Sequence, residues 1–403
     1  MKIALIRERK NPPDKRVVLS PSAAKKALDR YPELQIVVEK SPIRAYKDEE
    51  YAALGIPVLD DVSDADVMLG VKEVPLENLI PNKKYFFFSH TIKKQSYNRK
   101  LLREILAKNI EMHDHEVLTD QSEKRVVAFG RYAGIVGAYN GFRTYGLKYS
   151  LFELPKANFL DNQQELIAEL IKIKSKLPNI KIILTGKGRV SNGAKEMLDG
   201  MGLQEVSASD FINKTYNQSV YSQIGCNKYV KRKDGKKLDI TDFYYNPQEY
   251  KSDFMRFAQV ADMYISGHFY ADGAPYIFTR EDAKSPDFNI KTVADISCDI
   301  DGPVACTIKP STIADPIYGY NPATESEDDY TKNDVIAVMA VDNLPCELPK
   351  DASAGFGKMF EEYVLPAFFN NDESGILKRS LMTKDGKLTK RFSYLQDYID
   401  GKE

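Results

Sequence analysis

The sequence predicts an α/β protein built of two units, and three observations carry that expectation. Over about the first 150 residues, short apolar runs alternate with helix-like segments, the pattern of a layered α/β structure. A second alternation begins at Asp161. Within it a β-branched run, Ile180 to Thr185, leads into the glycine-rich Gly186 to Gly193 and then into a helical pattern. With 403 residues, 43% hydrophobic and 11% aromatic, the chain has material for two cores, and disorder is excluded as its main state.

Ile3 to Ile6 is an apolar run suited to a first strand. Ser20-Pro21 then offers an N-cap followed by proline at the first helical position, where its missing N–H costs nothing, and Ala23, Ala24, Ala27 and Leu28 continue the helix. Further strands are predicted at Gln35 to Val38, Asp66 to Val71, Tyr85 to Phe88 and Ile110 to His113, each bounded by Pro, Asn, Asp or charged residues. Leu101, Leu102, Ile105 and Leu106 predict a helix between the last two. In Ala133 to Gly146, Gly134, Gly137, Ala138 and Gly141 recur three and four apart, so a helix here has a smooth face for close packing; the alternative is a glycine-rich loop, because glycine weakens helices. Asp161 is the expected cap of the next helix, with Gln164 three residues on and Leu166, Leu170, Ile173 and Leu177 on one face up to Pro178-Asn179. After the glycine turn, Ala194, Met197, Leu198 and Met201 follow a helical pattern.

Lys plus Arg number 57 against 58 Asp plus Glu, a formal charge of -1, which argues against a nucleic-acid partner. The one dense basic run, Lys228 to Lys237, contains a turn-like Asp234-Gly235 and is expected to form a solvated hairpin. No stretch approaches ~20 apolar residues, and the N-terminus turns charged after Ile6, so neither a membrane span nor a signal segment is expected. Cys226, Cys298, Cys306 and Cys346 lack C-x-x-C spacing and are expected as free thiols of a cytoplasmic protein.

A glycine turn between strand and helix brings backbone amides close to a pyrophosphate, which the helix N-terminus also favours. Gly186, Gly188, Arg189, Val190 and Gly193 make up that turn and helix start, with Ser191 where the third glycine of G-x-G-x-x-G belongs. Asp210 lies near the sequence distance at which a carboxylate holds an adenosine ribose; the alternative is a surface aspartate. His90, His113, His115 and His268 all fall at predicted strand ends, where open α/β sheets bind ligands. His113-x-His115 has the alternation of two ligands on a strand, but no third accompanies it, so no metal is expected. Lys72-Glu73 follows the strand ending at Val71, and such a lysine can serve as acid or base where burial or neighbouring cations depress its pKa; the alternative is a solvated ion pair.

Taken together, seven segments carry a resemblance: DKRVVLSP around Arg16, GVKEVP at Gly70 to Pro75, FFFSHTIKKQ at Phe86 to Gln95, KRVVAFGRYAGIVGA at Lys124 to Ala138, TGKGRVSNGA at Thr185 to Ala194, DISCDIDG at Asp295 to Gly302 and, more weakly, DNLPCELPKDAS at Asp342 to Ser353. In these the chain resembles the lysine–2-oxoglutarate reductase and lysine-forming saccharopine dehydrogenase family, itself related to alanine dehydrogenase. The reductase branch resembles T-G-x-G-x-V-S-x-G-A, which accounts for Ser191. The resemblance implies two Rossmann-like domains with an interdomain cleft. Residues 1–140 and 310–403 would form a discontinuous substrate domain, completed by a helix over Phe356 to Phe369 ending near Pro366, and 150–305 a dinucleotide-binding domain.

The implied activity is an NAD- or NADP-dependent oxidoreductase on CH–NH donors, interconverting saccharopine with L-lysine and 2-oxoglutarate. Carried over by resemblance, Lys72 and His90 are an acid–base pair, Arg16 and Arg125 clamp carboxylates, and Lys93 adds positive charge. Glu73 and Glu116 tune Lys72 and His90, Asp299 lies beside the nicotinamide, and His268 joins the cofactor-binding residues. Partners are then a small amino acid and a 2-oxo acid, and the length leaves no room for a second, saccharopine-cleaving region. Two alternatives stand beside this reading: an alanine dehydrogenase-like or other opine-type enzyme, and a nucleotide-binding sensor without turnover. The choice of NAD or NADP, the direction and the oligomeric state are left open.

Overall fold

The alternating apolar runs form two eight-stranded sheets, one in each of two units of the chain. The computed structural model describes residues 1–271 and 273–402. The first unit comprises Met1–Phe129 and the chain from Pro349 onward, the second Gly130–Leu348.

In the first unit, β1 (Lys2–Leu5), β2 (Gln35–Glu39), β3 (Val58–Leu59), β4 (Val67–Leu69), β5 (Lys84–Phe87) and β6 (Glu111–Asp114) run parallel in the order β6-β5-β4-β1-β2-β3. Antiparallel strands Leu381–Lys384 and Lys387–Leu388 extend the β6 edge. Burial on both faces explains why β1 and β4 read as unbroken apolar runs: Ile3, Ala4, Leu5, Val67, Met68 and Leu69 are all buried. The first helix, Pro21–Arg30, starts as its sequence predicts, with the Ser20 side chain accepting the Ala23 N–H at 3.2 Å. The C-terminal helix begins earlier than expected, at Pro349, and loosens into a π turn over Phe360–Val364. Pro366, lacking an N–H, lies in the following 3-10 turn. A Cβ on Gly357 would lie 2.8 Å from the Val18 carbonyl oxygen, and Ser353 accepts the Val17 N–H at 2.9 Å, so this helix backs the segment that carries Arg16.

In the second unit, β7 (Lys181–Thr185), β8 (Gln204–Glu205), β9 (Val220–Ile224), β12 (Met263–Ser266), β13 (Thr292–Asp295) and β16 (Ile336–Met339) are parallel, and β14 (Ile317–Asn321) and β15 (Ser326–Asp328) add an antiparallel edge. The order is β15-β14-β16-β13-β12-β7-β9-β8. A separate antiparallel pair joins β10 (Val230–Arg232) to β11 (Tyr250–Ser252).

Three expectations are corrected. Residues 310–348, read as part of the first domain, supply β14, β15 and β16 to the second sheet, so the division falls at Phe129/Gly130 and Leu348/Pro349. The basic run is no local hairpin: Gly235 does turn with φ +77°, but the partner of β10 lies beyond the intervening helix Ile240–Tyr245. Asn162, not Asp161, caps the helix Gln163–Ile173, accepting the Glu165 N–H at 3.0 Å. The smooth-faced helix expected over Ala133 to Gly146 is present as part of Gly130–Lys148, one helix of 19 residues. A Cβ on Gly134 would stand 1.8 Å from the Val190 carbonyl oxygen, and one on Gly193 would stand 2.0 Å from that of Arg131. The glycines thus allow this helix to lie backbone against backbone on the helix Arg189–Gly200.

Candidate active site

In the first unit the chemistry gathers where the parallel strands end. The chain leaves β1 for β2 on one side and later places β4 on the other, so this end is the sheet's switch point, the usual position of a ligand crevice. Phe86 and Phe87 anchor the end of β5 in the core, and the next residue but one, Ser89, is fixed when its N–H donates to Asp114 Oδ2 of neighbouring β6 at 2.9 Å. His90 follows in the left-handed region, φ +55°, which turns the chain out of the strand direction. Its ring lies between two carboxylates: Nε2 is 3.9 Å from Glu73 Oε1 and Nδ1 is 3.7 Å from Glu116 Oε2. These separations exceed hydrogen-bond length, and Glu73 Oε1, His90 Nδ1 and Glu116 Oε2 are all buried without a hydrogen-bond partner. Lys10 caps the far side of Glu73 at 2.8 Å, while Lys93 and Arg125 approach Glu116 Oε1 at 3.4 and 3.8 Å.

Lys72 emerges from β4 beside Glu8, whose carboxylate accepts the Val71 and Lys72 backbone N–H groups at 2.7 and 2.8 Å. Burial lowers the Lys72 pKa, and the nearby Arg16 and Lys10 charges push it the same way against Glu73 and Asp14. Burial and the Asp14 charge in turn push Glu8 up to about 8. Arg16 is buried, with Nε and Nη2 donating to Asp14 at 3.0 and 2.6 Å and its guanidinium 4.2 Å over the Phe129 ring. The structure therefore brings Lys72, Glu73, His90, Lys93, Glu116 and Arg125 together with Arg16. Asp14, Glu8, Lys10 and Asp114 complete this set and were not singled out in the sequence. The signal for Asp14 was its place two residues before Arg16; Glu8, between two arginines, carried none.

Burial opposes ionisation of Glu116, but His90, Lys93 and Arg125 outweigh it and hold the carboxyl at about 2, against an ordinary 4.5. A depressed acid stabilises the fold fully above its unfolded pKa and loses that contribution as pH falls through the folded one. The window is therefore from 4.5 down to about 2. Because Lys93 and Arg125 are half-exposed, the contribution is discounted to about 1–2 kcal/mol. Urea unfolding of Glu116→Gln should show a shallower loss of stability than wild type across that window; parallel acid limbs would contradict the account.

His113 and His115 are engaged separately. The His113 ring stacks on Phe86 with centroids 4.4 Å apart, and its Nδ1 lies 2.9 Å from Ser380 Oγ; His115 donates from Nε2 to the Gly70 carbonyl at 2.9 Å. Burial lowers their pKa values to about 3 and about 4, so both are neutral packing residues at neutral pH.

In the second unit, β7 leads into the glycine turn. Gly186 has φ +102°, and a Cβ there would stand 2.4 Å from the Gly267 carbonyl oxygen. Gly188 precedes the helix Arg189–Gly200, of which Arg189 and Val190 are the first residues, and a Cβ on Gly188 meets nothing within 4 Å. Ser191 is buried and donates to the Gly188 carbonyl at 3.1 Å. A Cβ on Gly267 would come within 2.9 Å of Ser191 Cα and Cβ, so the closeness that a third glycine permits from the helix side is supplied here by Gly267 at the end of β12. Gly193 serves the helix–helix contact instead. His268 follows Gly267: its Nδ1 lies 3.0 Å from Thr185 Oγ1, its Nε2 is buried without a partner, and burial lowers its pKa to about 4. Open space at Gly188, a helix N-terminus behind it and an orphaned ring nitrogen beside it fit a dinucleotide pyrophosphate at this turn.

Two other expected cofactor residues lie outside the glycine turn. Asp210 sits in the helix Ala208–Asn213, half-exposed and 3.0 Å from Lys214. That helix follows edge strand β8, whereas the strand beside β7 is β9, so the sequence count reached the wrong strand. Asp299 is exposed, four residues past β13. The buried carboxylate at that strand end is Asp295, which accepts from Ser297 Oγ and Thr307 Oγ1, each at 2.6 Å.

Two α/β units, each built on a mostly parallel eight-stranded sheet, define a fold of two Rossmann-like domains similar to that of alanine dehydrogenase. Residues 4–136 match the model of the alanine dehydrogenase/PNT N-terminal domain. A solved L-alanine dehydrogenase superposes with a TM-score of 0.65 at 15% identity, covering 100% of this chain and 99% of that one, and a transhydrogenase from Sinorhizobium meliloti with 0.56 at 13%, covering 96% and 100%. More particularly, the chain is 28% identical over 419 residues to the mitochondrial alpha-aminoadipic semialdehyde synthase of Mus musculus, covering 92% of this chain and 45% of that protein. It is 24% identical over 382 residues to saccharopine dehydrogenase (NAD(+), L-lysine-forming) of Yarrowia lipolytica, covering 90% of each. The resemblance to the lysine–2-oxoglutarate reductase and saccharopine dehydrogenase family, within the alanine dehydrogenase superfamily, is thereby borne out, and the chain spans about half the length of the semialdehyde synthases it matches. Among the described residues no helix is long and apolar enough to cross a membrane.

Proposed function

We propose that this chain is a nicotinamide-dependent oxidoreductase that interconverts saccharopine with L-lysine and 2-oxoglutarate, its first unit handling substrate and its second the dinucleotide. The observation that carries this reading is the density of cations around one histidine: Arg16, Lys72, Lys93 and Arg125 all bear on the strand ends where His90 sits between Glu73 and Glu116. Lysine and 2-oxoglutarate together bring three carboxylates to such a set, whereas pyruvate brings one and leaves cations uncompensated, which is costly in a desolvated site.

In the condensing direction, Lys72, with its lowered pKa, takes a proton from the substrate ε-ammonium and frees the amine to attack the keto carbon. His90 gives a proton to the keto oxygen, takes back the second proton of the attacking nitrogen, and passes it to the hydroxyl, which leaves as water and yields the iminium. When bound, a nicotinamide cofactor would supply the hydride for the reduction. Arg16 and Arg125 hold carboxylates by guanidinium forks, and Lys93 adds charge without that geometry. The free state of all four cysteines supports a cytoplasmic setting.

The alanine dehydrogenase-like alternative rests on the N-terminal domain match. The deciding measurement incubates purified protein with NADH or NADPH, 2-oxoglutarate and lysine and identifies the product by mass spectrometry. Saccharopine is the expected product. Robust activity with ammonia and pyruvate, and none with lysine and 2-oxoglutarate on either cofactor, selects the alternative.

A further inference from the structure

We infer that the C-terminal segment Lys390–Asp400 positions the loop that carries His90 and Lys93, with Tyr398 as the positioning residue that ties it down. This rests on the acid–base reading of His90, and every residue involved belongs to the first unit.

His90 leaves β5 with φ +55°, Thr91–Lys93 makes a single 3-10 turn, and Lys94 is left-handed again with φ +56°. A second 3-10 turn, Ser96–Asn98, leads into the helix Arg99–Ala107. Two non-glycine residues in the left-handed region of one loop cost energy that contacts outside the loop must supply. At its start the contact is Asp114 of β6, which accepts from the Ser89 N–H at 2.9 Å, with Thr91 Oγ1 lying 2.7 Å from Ser89 Oγ. These bonds hold only the loop's first residues.

The far end is held by the C-terminal segment. After the strand Leu381–Lys384 pairs with β6, the chain returns as the 3-10 segment Lys390–Leu395 and the helix Gln396–Asp400. Arg103 Nε, on the helix that follows the loop, donates to the Ile399 carbonyl at 2.6 Å, and the Arg99 guanidinium lies 5.1 Å from the centre of the Tyr398 ring. Tyr398 is fully buried, and its hydroxyl donates to the Gln95 backbone carbonyl at 2.6 Å. Ile92 packs against the apolar cluster to which Phe392, Leu395 and Tyr398 belong. The loop is thus tied at Ser89 by β6 and at Ile92 and Gln95 by the C-terminal segment. His90 lies between the first two ties and Lys93 between the last two. Both side chains face Glu116, at 3.7 and 3.4 Å, and a displacement of about 1 Å from a reacting geometry can cost about 10²-fold in rate. Phenylalanine at position 398 keeps the ring, its packing and the Arg99 contact and removes only the tie to Gln95. The Gln95 carbonyl retains the Asn98 N–H at 3.0 Å, so that substitution leaves this acceptor paired and should fold.

The test compares Tyr398→Phe, His90→Ala and the double variant of the full chain, assayed with NADH or NADPH, lysine and 2-oxoglutarate, alongside hydrogen exchange of the backbone amides. Tyr398→Phe should lower kcat by about 10-fold with the nucleotide KM within about twofold, and should speed exchange in the turns Thr91–Lys93 and Ser96–Asn98 by about 10-fold while leaving β5 and β6 as in wild type. In the His90→Ala background the same substitution should cost no more than about threefold, because a tie that acts through His90 then has little left to position. An undiminished loss in that background, a wild-type kcat in Tyr398→Phe, or unchanged exchange in the two turns overturns the inference while leaving the acid–base reading intact. Near wild-type turnover of His90→Ala overturns that reading as well.

Discussion

Lys72→Met and His90→Ala each lower turnover by about 10²-fold or more, with nicotinamide-nucleotide affinity retained. The two effects separate because both side chains belong to the first unit and the glycine turn belongs to the second. The Lys72 ammonium is penalised first by burial and then by the Arg16 and Lys10 charges, so more of it is neutral near neutral pH than for an ordinary lysine. Glu8 fixes the backbone from which it projects by accepting two consecutive N–H groups. His90 is held in a left-handed conformation between two carboxylates that it approaches without hydrogen bonding either. That leaves buried acceptor and donor atoms poised for a substrate proton. Methionine keeps the apolar stem of Lys72 and removes only the titrating group. Steady-state turnover across pH 6 to 10, roughly the span in which such groups titrate, and nucleotide calorimetry provide the check. Near wild-type turnover of both variants across that range removes the acid–base assignment.

Much of the fold was legible because the governing signals are local. Ser20 before Pro21 names a helix start whatever surrounds it, and the three- and four-residue spacing of Gly134, Gly137 and Gly141 describes a smooth helix face before its partner is known. What was missed depends on which strands become neighbours. Ile6 donates to Leu69 at 3.1 Å, and only that pairing carries Glu8 to the amides of Val71 and Lys72, remote in sequence. In the sequence Glu8 is one acid between two arginines, indistinguishable from surface charge. Asp210 fails for the same reason in reverse: the spacing rule assumes that the strand after the helix lies beside β7, but β8 goes to the edge and β9 takes that place. The segment from 310 to 348 was assigned to the wrong unit because a strand's pattern does not say which sheet it joins; pairing of β16 with β13 does. The residues around His90 were readable individually, yet their order, with Glu116 drawing in both Lys93 and Arg125, follows only from β6 lying beside β5.

Gly134→Ala destabilises the protein by about 3 kcal/mol or more, whereas Gly188→Val changes stability by only about 1 kcal/mol and abolishes nucleotide binding. Alanine in a helix interior ordinarily gains about 1 kcal/mol over glycine, so the sign of the first effect is decided by packing. A Cβ at Gly134 would stand 1.8 Å from the Val190 carbonyl oxygen and 2.7 Å from the Ala194 nitrogen. Both are backbone atoms, with no flexible side chain to swing aside, so the helices must move apart. That separation also disturbs the reciprocal approach of Gly193 to the Arg131 carbonyl and loosens buried Ile135, Ala138, Ala194 and Leu198, a loss larger than the propensity gain. Gly188 is the opposite case. Its φ of -91° suits any residue, and a Cβ there meets nothing within 4 Å, so valine costs little beyond being a poorer helix cap. Its methyl groups would instead fill the space in front of the helix start that a pyrophosphate needs. Urea unfolding and calorimetry with NADH and NADPH on both variants measure the two quantities side by side. A Gly134→Ala protein as stable as wild type contradicts the helix contact, and a folded Gly188→Val protein that binds either nucleotide with wild-type affinity contradicts the pyrophosphate site.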